Sequence, residues 1–123
     1  MPTPRYSLAE AQQVLAEARA RIDDLVAVAE ELEALADEGA DAGVEAARLR
    51  ANLDDVLRWF DAAGIQIKSV RPTLLDFPAR AIRDGEGIDV LLCWREDEDA
   101  IAYYHPREGG YRSREPVALL DRV

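Results

Sequence analysis

The chain has 123 residues, a size that sets one domain with one core over residues 1–123 as the expectation. Its formal charge of −10, from 25 acids against 15 lysines and arginines, argues against wrapping nucleic acid or anionic lipid, because either polyanion needs a continuous basic face. The single cysteine excludes an internal disulfide, Met1-Pro2-Thr3-Pro4-Arg5-Tyr6 lacks a signal-peptide core, and no apolar run reaches bilayer-spanning length, so a cytoplasmic protein is expected, with neither nucleic-acid nor membrane partner.

Ser7-Leu8-Ala9-Glu10 reads as a capping box that starts a helix. Leu8, Ala11, Leu15, Ala18, Ile22, Leu25, Ala29, Leu32 and Ala36 then alternate spacings of three and four, the mark of one apolar helical stripe. Asp37 to Gly43, with two glycines, fits a turn. A second helix follows from about Val44 to Ala63, with Ala46, Leu49, Leu53, Val56, Phe60 and Ala63 on its stripe and Gly64 at the left-handed cap position. A short connector predicts an antiparallel hairpin over residues 7–64. At ~1.5 Å per residue the second helix ends about 13 Å short of the first helix's start, so Leu8 to Val14 needs cover from the rest of the chain. Up to Gly64 there are 14 acids against 6 arginines, and beyond it 11 acids against 9 basic residues, so the hairpin is the acidic part.

The period changes after Gly64. Ile65 to Val70 alternates, Leu74 to Ile82 is apolar but interrupted by Pro78, Ile88 to Trp94 is a continuous apolar run, and Ile101 to His105 is a fourth short strand. Short connections favour antiparallel pairing. The predicted class is α+β: a long antiparallel helical hairpin with a small antiparallel β-meander packed on it, of three or four strands over residues 65–123, ending in an irregular tail. Pro78 predicts a bend at Asp76-Phe77-Pro78, since proline donates no ladder hydrogen bond. Arg95 to Asp99 reads as a loop too charged to bury.

The chemistry-bearing residues concentrate in this second part, which holds the only His and the only Cys. The candidates are Asp76, Cys93, Trp94, His105, Arg112 and Arg114. Asp76 either caps backbone amides or accepts from a basic side chain, with Arg114 as preferred partner through two parallel bonds. Cys93 reads as a small buried hydrophobe unless a neighbouring cation lowers its pKa, and His105 is the candidate for that cation. A two-residue turn at Asp97-Glu98 would place Cys93 and His105 on opposite faces, and a change of one residue would place them on the same face. A metal held by Cys93 and His105 would need Asp or Glu as further ligands, and paired Cys/His spacings are absent, so no metal or other cofactor is assigned and a metal is left open. Arg107, Arg112 and Arg114 on a glycine-flexed loop suit either capture of an anion or pairing with the acidic hairpin. No phosphate-binding loop or serine nucleophile is recognisable.

Tyr6-Ser7-Leu8-x-Glu10-Ala11, Gly64-Ile65, Asp76-Phe77-Pro78, Leu92-Cys93-Trp94, Tyr104-His105 and Gly110-Tyr111-x-x-Arg114-x-Pro116 together resemble an uncharacterised bacterial family, domain of unknown function 2203. The resemblance covers almost the whole chain and implies a shared fold and a shared patch without an activity. Glu96-Asp97-Glu98-Asp99 departs from the Gly-Glu-Pro-type turn of that family. Two functional expectations follow. The first is a non-catalytic, self-associating homodimer, because one hairpin presents more apolar flank than a small sheet hides, with a tail that braces the sheet or contacts a protein partner. The alternative is a small-molecule, anion or metal site, extending to thiol-dependent catalysis, formed by the Asp-Phe-Pro, Leu-Cys-Trp and His/Arg-rich segments.

Overall fold

A computed structural model of the protein describes residues 4–37 and 43–123. Helix α1 spans Leu8–Asp37 and α2 spans Gly43–Ala63. The predicted cap forms: Ser7 Oγ accepts from the Glu10 amide at 3.1 Å and the Glu10 carboxylate accepts from the Ser7 amide at 2.9 Å. That bond from the Ser7 backbone holds the Glu10 carboxyl below its ordinary pKa. The stripe is the buried face: Ala11, Leu15, Ala18, Ile22 and Leu25 of α1 share one core with Val56 and Phe60 of α2, and Leu49 of α2 is buried as well. Gly64 ends α2 at φ 72°, as its cap position predicts. Most of the expected Asp37 to Gly43 turn lies outside the described residues.

Five antiparallel strands follow in simple sequence order: β1 Gln66–Val70, β2 Thr73–Arg83, β3 Glu86–Arg95, β4 Tyr103–Pro106 and β5 Glu115–Pro116. This corrects the expected three or four strands. The tail is not wholly irregular: Glu115 lies opposite Tyr104, and the Arg83 guanidinium donates to both the Tyr104 hydroxyl and the Glu115 carboxylate. The β2–β3 hairpin turns on Asp84 and Gly85, both at positive φ (53° and 81°), which the mirror-image two-residue turn requires.

Pro78 does not bend its strand, which runs unbroken from Thr73 to Arg83 with Pro78 opposite Leu91. The Pro78 carbonyl accepts from the Tyr6 amide at 2.8 Å, so its polar backbone side points away from β3. β1 has already ended there, at the Gln66–Asp76 pair. The missing N–H therefore falls on a locally open edge, where no ladder bond is lost.

One sheet face, carrying Leu75, Phe77, Ala79, Ala81, Val90, Leu92, Trp94 and Tyr104, joins the hairpin stripe in one core. The uncovered start of α1 finds its cover here. Gln12 pairs its amide with both backbone groups of Ile101, each at 3.0 Å, and the Tyr6 ring meets Phe77 edge-on while its hydroxyl donates to the Ala63 carbonyl. The opposite sheet face looks away from the helices and is roofed by the chain between β4 and β5.

Candidate functional site

Asp76 on β2 lies directly opposite Cys93 on β3, and Leu91, two residues before Cys93, lies opposite His105 on β4. Strand alternation sends Asp76, Cys93 and His105 to the same face, the one away from the helices. The β3–β4 connection is longer than a two-residue turn and shifts the register by one, which selects the same-face outcome. All three side chains are buried, with exposures of 2, 1 and 1%. One ligand atom from each lies within 4.8 Å of the other two.

The polar contacts are incomplete. His105 Nδ1 lies 2.8 Å from the Pro106 carbonyl, which only accepts, so Nδ1 carries a proton and Nε2 faces the cluster. Nε2 lies 3.1 Å from Asp76 Oδ2. Asp76 Oδ1 makes no hydrogen bond among the described residues, leaving the thiol of Cys93 as the weak donor facing the carboxylate. A buried polar atom left unpaired costs about 1–3 kcal/mol, and more when charged, so this arrangement is not one that stability alone would select. Burial first, and then the negative charge of Asp76, push the Cys93 thiol up to about 12. Without an added cation, Cys93 is a neutral thiol.

A cavity of about 190 Å³ opens above the cluster, lined by Lys68, Leu74, Gly109, Gly110 and Tyr111 as well as the three buried residues. Its roof is structured. The Gly109 amide donates to the Pro106 carbonyl, and Ser113 Oγ both accepts from the Gly110 amide and donates to the Gly110 carbonyl. A Cβ on Gly109 would overlap Ser113 Oγ, so this close approach needs glycine.

Arg114 fastens the roof. Its guanidinium lies 4.1 Å from the Tyr103 ring centre and 4.7 Å from that of Tyr111, and it pairs with Glu98. The expected Asp76–Arg114 pair does not form, because His105 occupies Asp76 while two aromatic rings and Glu98 hold Arg114. Two further candidates stand apart from the cluster. Trp94 points into the helix-side core, under the Arg19 guanidinium, with Nε1 donating to the Glu98 carbonyl. Arg112 is exposed and makes no ion pair among the described residues. Among the described residues the tail arginines do not pair with the acidic hairpin either.

Glu98 is the residue that the sequence reading passed over. Its carboxylate accepts from the Arg95 amide and pairs with Arg114, and its carbonyl accepts from Trp94, so part of the charged loop is drawn inward. The readable signal was local: a Glu three residues beyond Arg95 reaches back to a backbone amide, as acids do in capping turns.

A family model described as Uncharacterized conserved protein (DUF2203) matches residues 5–117. No curated protein and no solved structure matches the chain.

Proposed function

Since the chain belongs to DUF2203, a family of uncharacterised conserved proteins that brings no activity with it, we propose a function from the site alone: a binding protein for a divalent transition-metal ion, held by Asp76, Cys93 and His105. The observation that carries this reading is the unpaired, buried Asp76 Oδ1 beside a thiol and an imidazole. His105 is oriented as metal-binding histidines are, with one ring nitrogen fixed on a backbone carbonyl and the other directed at the site. Metal–ligand bonds of about 2.0 Å at a tetrahedral angle separate their donor atoms by about 3.3 Å, close to the 3.1 Å between Nε2 and Oδ2. Thiolate, imidazole and carboxylate together suit zinc or cobalt better than magnesium or calcium. A bound cation also supplies the charge that a buried thiolate lacks. A reducing compartment, the cytoplasm, fits a site that depends on a free thiol.

Titrating the purified chain with cobalt(II) tests this reading. One equivalent should give visible ligand-field bands of tetrahedral intensity and a thiolate charge-transfer band in the near ultraviolet. Cys93→Ser should remove the latter, and Asp76→Asn should weaken cobalt binding by about a hundredfold while far-ultraviolet circular dichroism stays unchanged. Absence of stoichiometric binding, or binding that ignores both substitutions, overturns the proposal.

Self-association is a second reading, favoured by the far half of the hairpin. Beyond Leu25, α1 has no fully buried side chain among the described residues, while Val26, Val28, Leu32 and Leu35 are only half-buried. A second copy of the chain would cover this stretch.

A further inference from the structure

The three donors leave a tetrahedral ion one ligand short. Among the described residues no fourth His, Cys, Asp or Glu joins the group. Tyr111, which lines the cavity, has its hydroxyl 3.2 Å from the Arg95 guanidinium and engaged there. The Gly109 and Gly110 amides are spent on Pro106 and Ser113. The chain thus closes three positions and keeps an open volume over the fourth, the arrangement of metal sites that take an outside ligand rather than purely structural ones.

Charge and size narrow the ligand. A divalent ion with the Asp76 carboxylate, the Cys93 thiolate and neutral His105 is uncharged, so one added monoanion leaves a single negative charge at the site. Lys68 stands at the cavity wall to balance it. Its position is set by an irregularity in the β1–β2 ladder, where Ile67 pairs with Leu75 and Ser69 with Leu74, leaving Lys68 between them. Bulges of this kind commonly re-aim a side chain beside a site. Arg114 is committed to Glu98 and the two tyrosines and does not line the cavity; Lys68 does, and it makes no ion pair among the described residues. The cavity volume of about 190 Å³ is below the roughly 300–1,000 Å³ of drug-sized pockets, so it takes a ligand of only a few heavy atoms.

Resting on the metal reading above, we infer that the centre is an open one whose fourth ligand is a small monoanion of carboxylate or pseudohalide size, admitted under the Gly109-Gly110-Tyr111 roof and countered by Lys68.

The test uses the full chain loaded with cobalt(II) at constant ionic strength and titrated with azide. Saturable shifts in the visible bands are expected. Lys68→Ala, an exposed position, should weaken azide binding about fivefold, and Lys68→Gln by a similar factor, while both variants still take up one equivalent of cobalt. Cobalt bands that do not respond to azide before the metal is stripped would mean a closed centre and overturn this inference while leaving the metal site standing. An azide response unchanged in both Lys68 variants would overturn the role of Lys68. Failure to bind cobalt at all would instead remove the metal reading beneath it.

Discussion

Asp76, Cys93 and His105 were legible as candidates because each is rare or oddly placed in this chain: a carboxylate beside a strand proline, one thiol, one imidazole. Trp94 is a candidate by adjacency to Cys93, and Arg112 as a cation of the glycine-flexed loop; Trp94 stands apart from the cluster because neighbours in a strand face opposite sides. The partner of Asp76 was unreadable, because it depends on which long side chain other groups have already claimed, and Tyr103, Tyr111 and Glu98 claim Arg114. At this scale the metal-free thiol gives a clean expectation. Buried and with its pKa raised to about 12, the thiol offers almost no thiolate at pH 8 in the folded state, so alkylation by iodoacetamide should be slow until the protein unfolds. The raised pKa also links folding to pH. Between the ordinary thiol value of 9.0 and about 12 the folded state holds a proton that the unfolded state has released, so this contribution to stability is full below pH 9 and is lost as pH rises through that window. Cys93→Ser should flatten that part of the stability profile, and rapid alkylation of the folded wild type at pH 8 would contradict the picture.

Among the elements, both helices, the cap at Ser7 and the first four strands were readable from periodicity and turn chemistry, whereas the fifth strand was not. β5 is two residues long, too short to carry a period, and exists because Glu115 and Pro116 find partners on β4. Strand register was similarly hidden, since it follows from the folded length of the β3–β4 loop, which Glu98 organises from inside. That same loop is tied to the roof by Arg114, so the two segments should loosen together. Arg114→Lys keeps the charge but loses the flat guanidinium that lies between Tyr103 and Tyr111. The expected result is a loss of about 1–2 kcal/mol in chemical denaturation, with faster amide exchange concentrated in residues 107–114 and 96–99. Exchange that rises uniformly across the chain, or not at all, would show that Arg114 does not couple these loops.

For the whole molecule, the expected layering was correct in outline, with the sheet packed on the hairpin and closing over the start of α1. Its sidedness was not foreseen. The rare side chains meet on the far face of the sheet, under the tail, because the apolar members of β2 and β3 take the helix side and leave the alternate positions for chemistry. This separation puts the site and the far half of the hairpin on different parts of the surface, so self-association should be independent of the metal. Size-exclusion chromatography with light scattering is expected to give a dimer whose mass is unchanged by Asp76→Asn and reduced to that of a monomer by charged residues at Leu32 and Leu35. A monomer at high micromolar concentration would count decisively against the pairing. The route of any such pairing is further restricted by how the sheet is finished. β1 is bulged at Lys68, β5 stops at Pro116, and beyond β1 the open side of β2 has a proline nitrogen at Pro78, the Tyr6 amide on its carbonyl, and both backbone groups of Ile82 taken by Asp121 and Arg122. Along β1, β5 and the open side of β2 a neighbouring molecule finds little continuous backbone on which to zip up a further strand, so sheet growth from these edges is disfavoured.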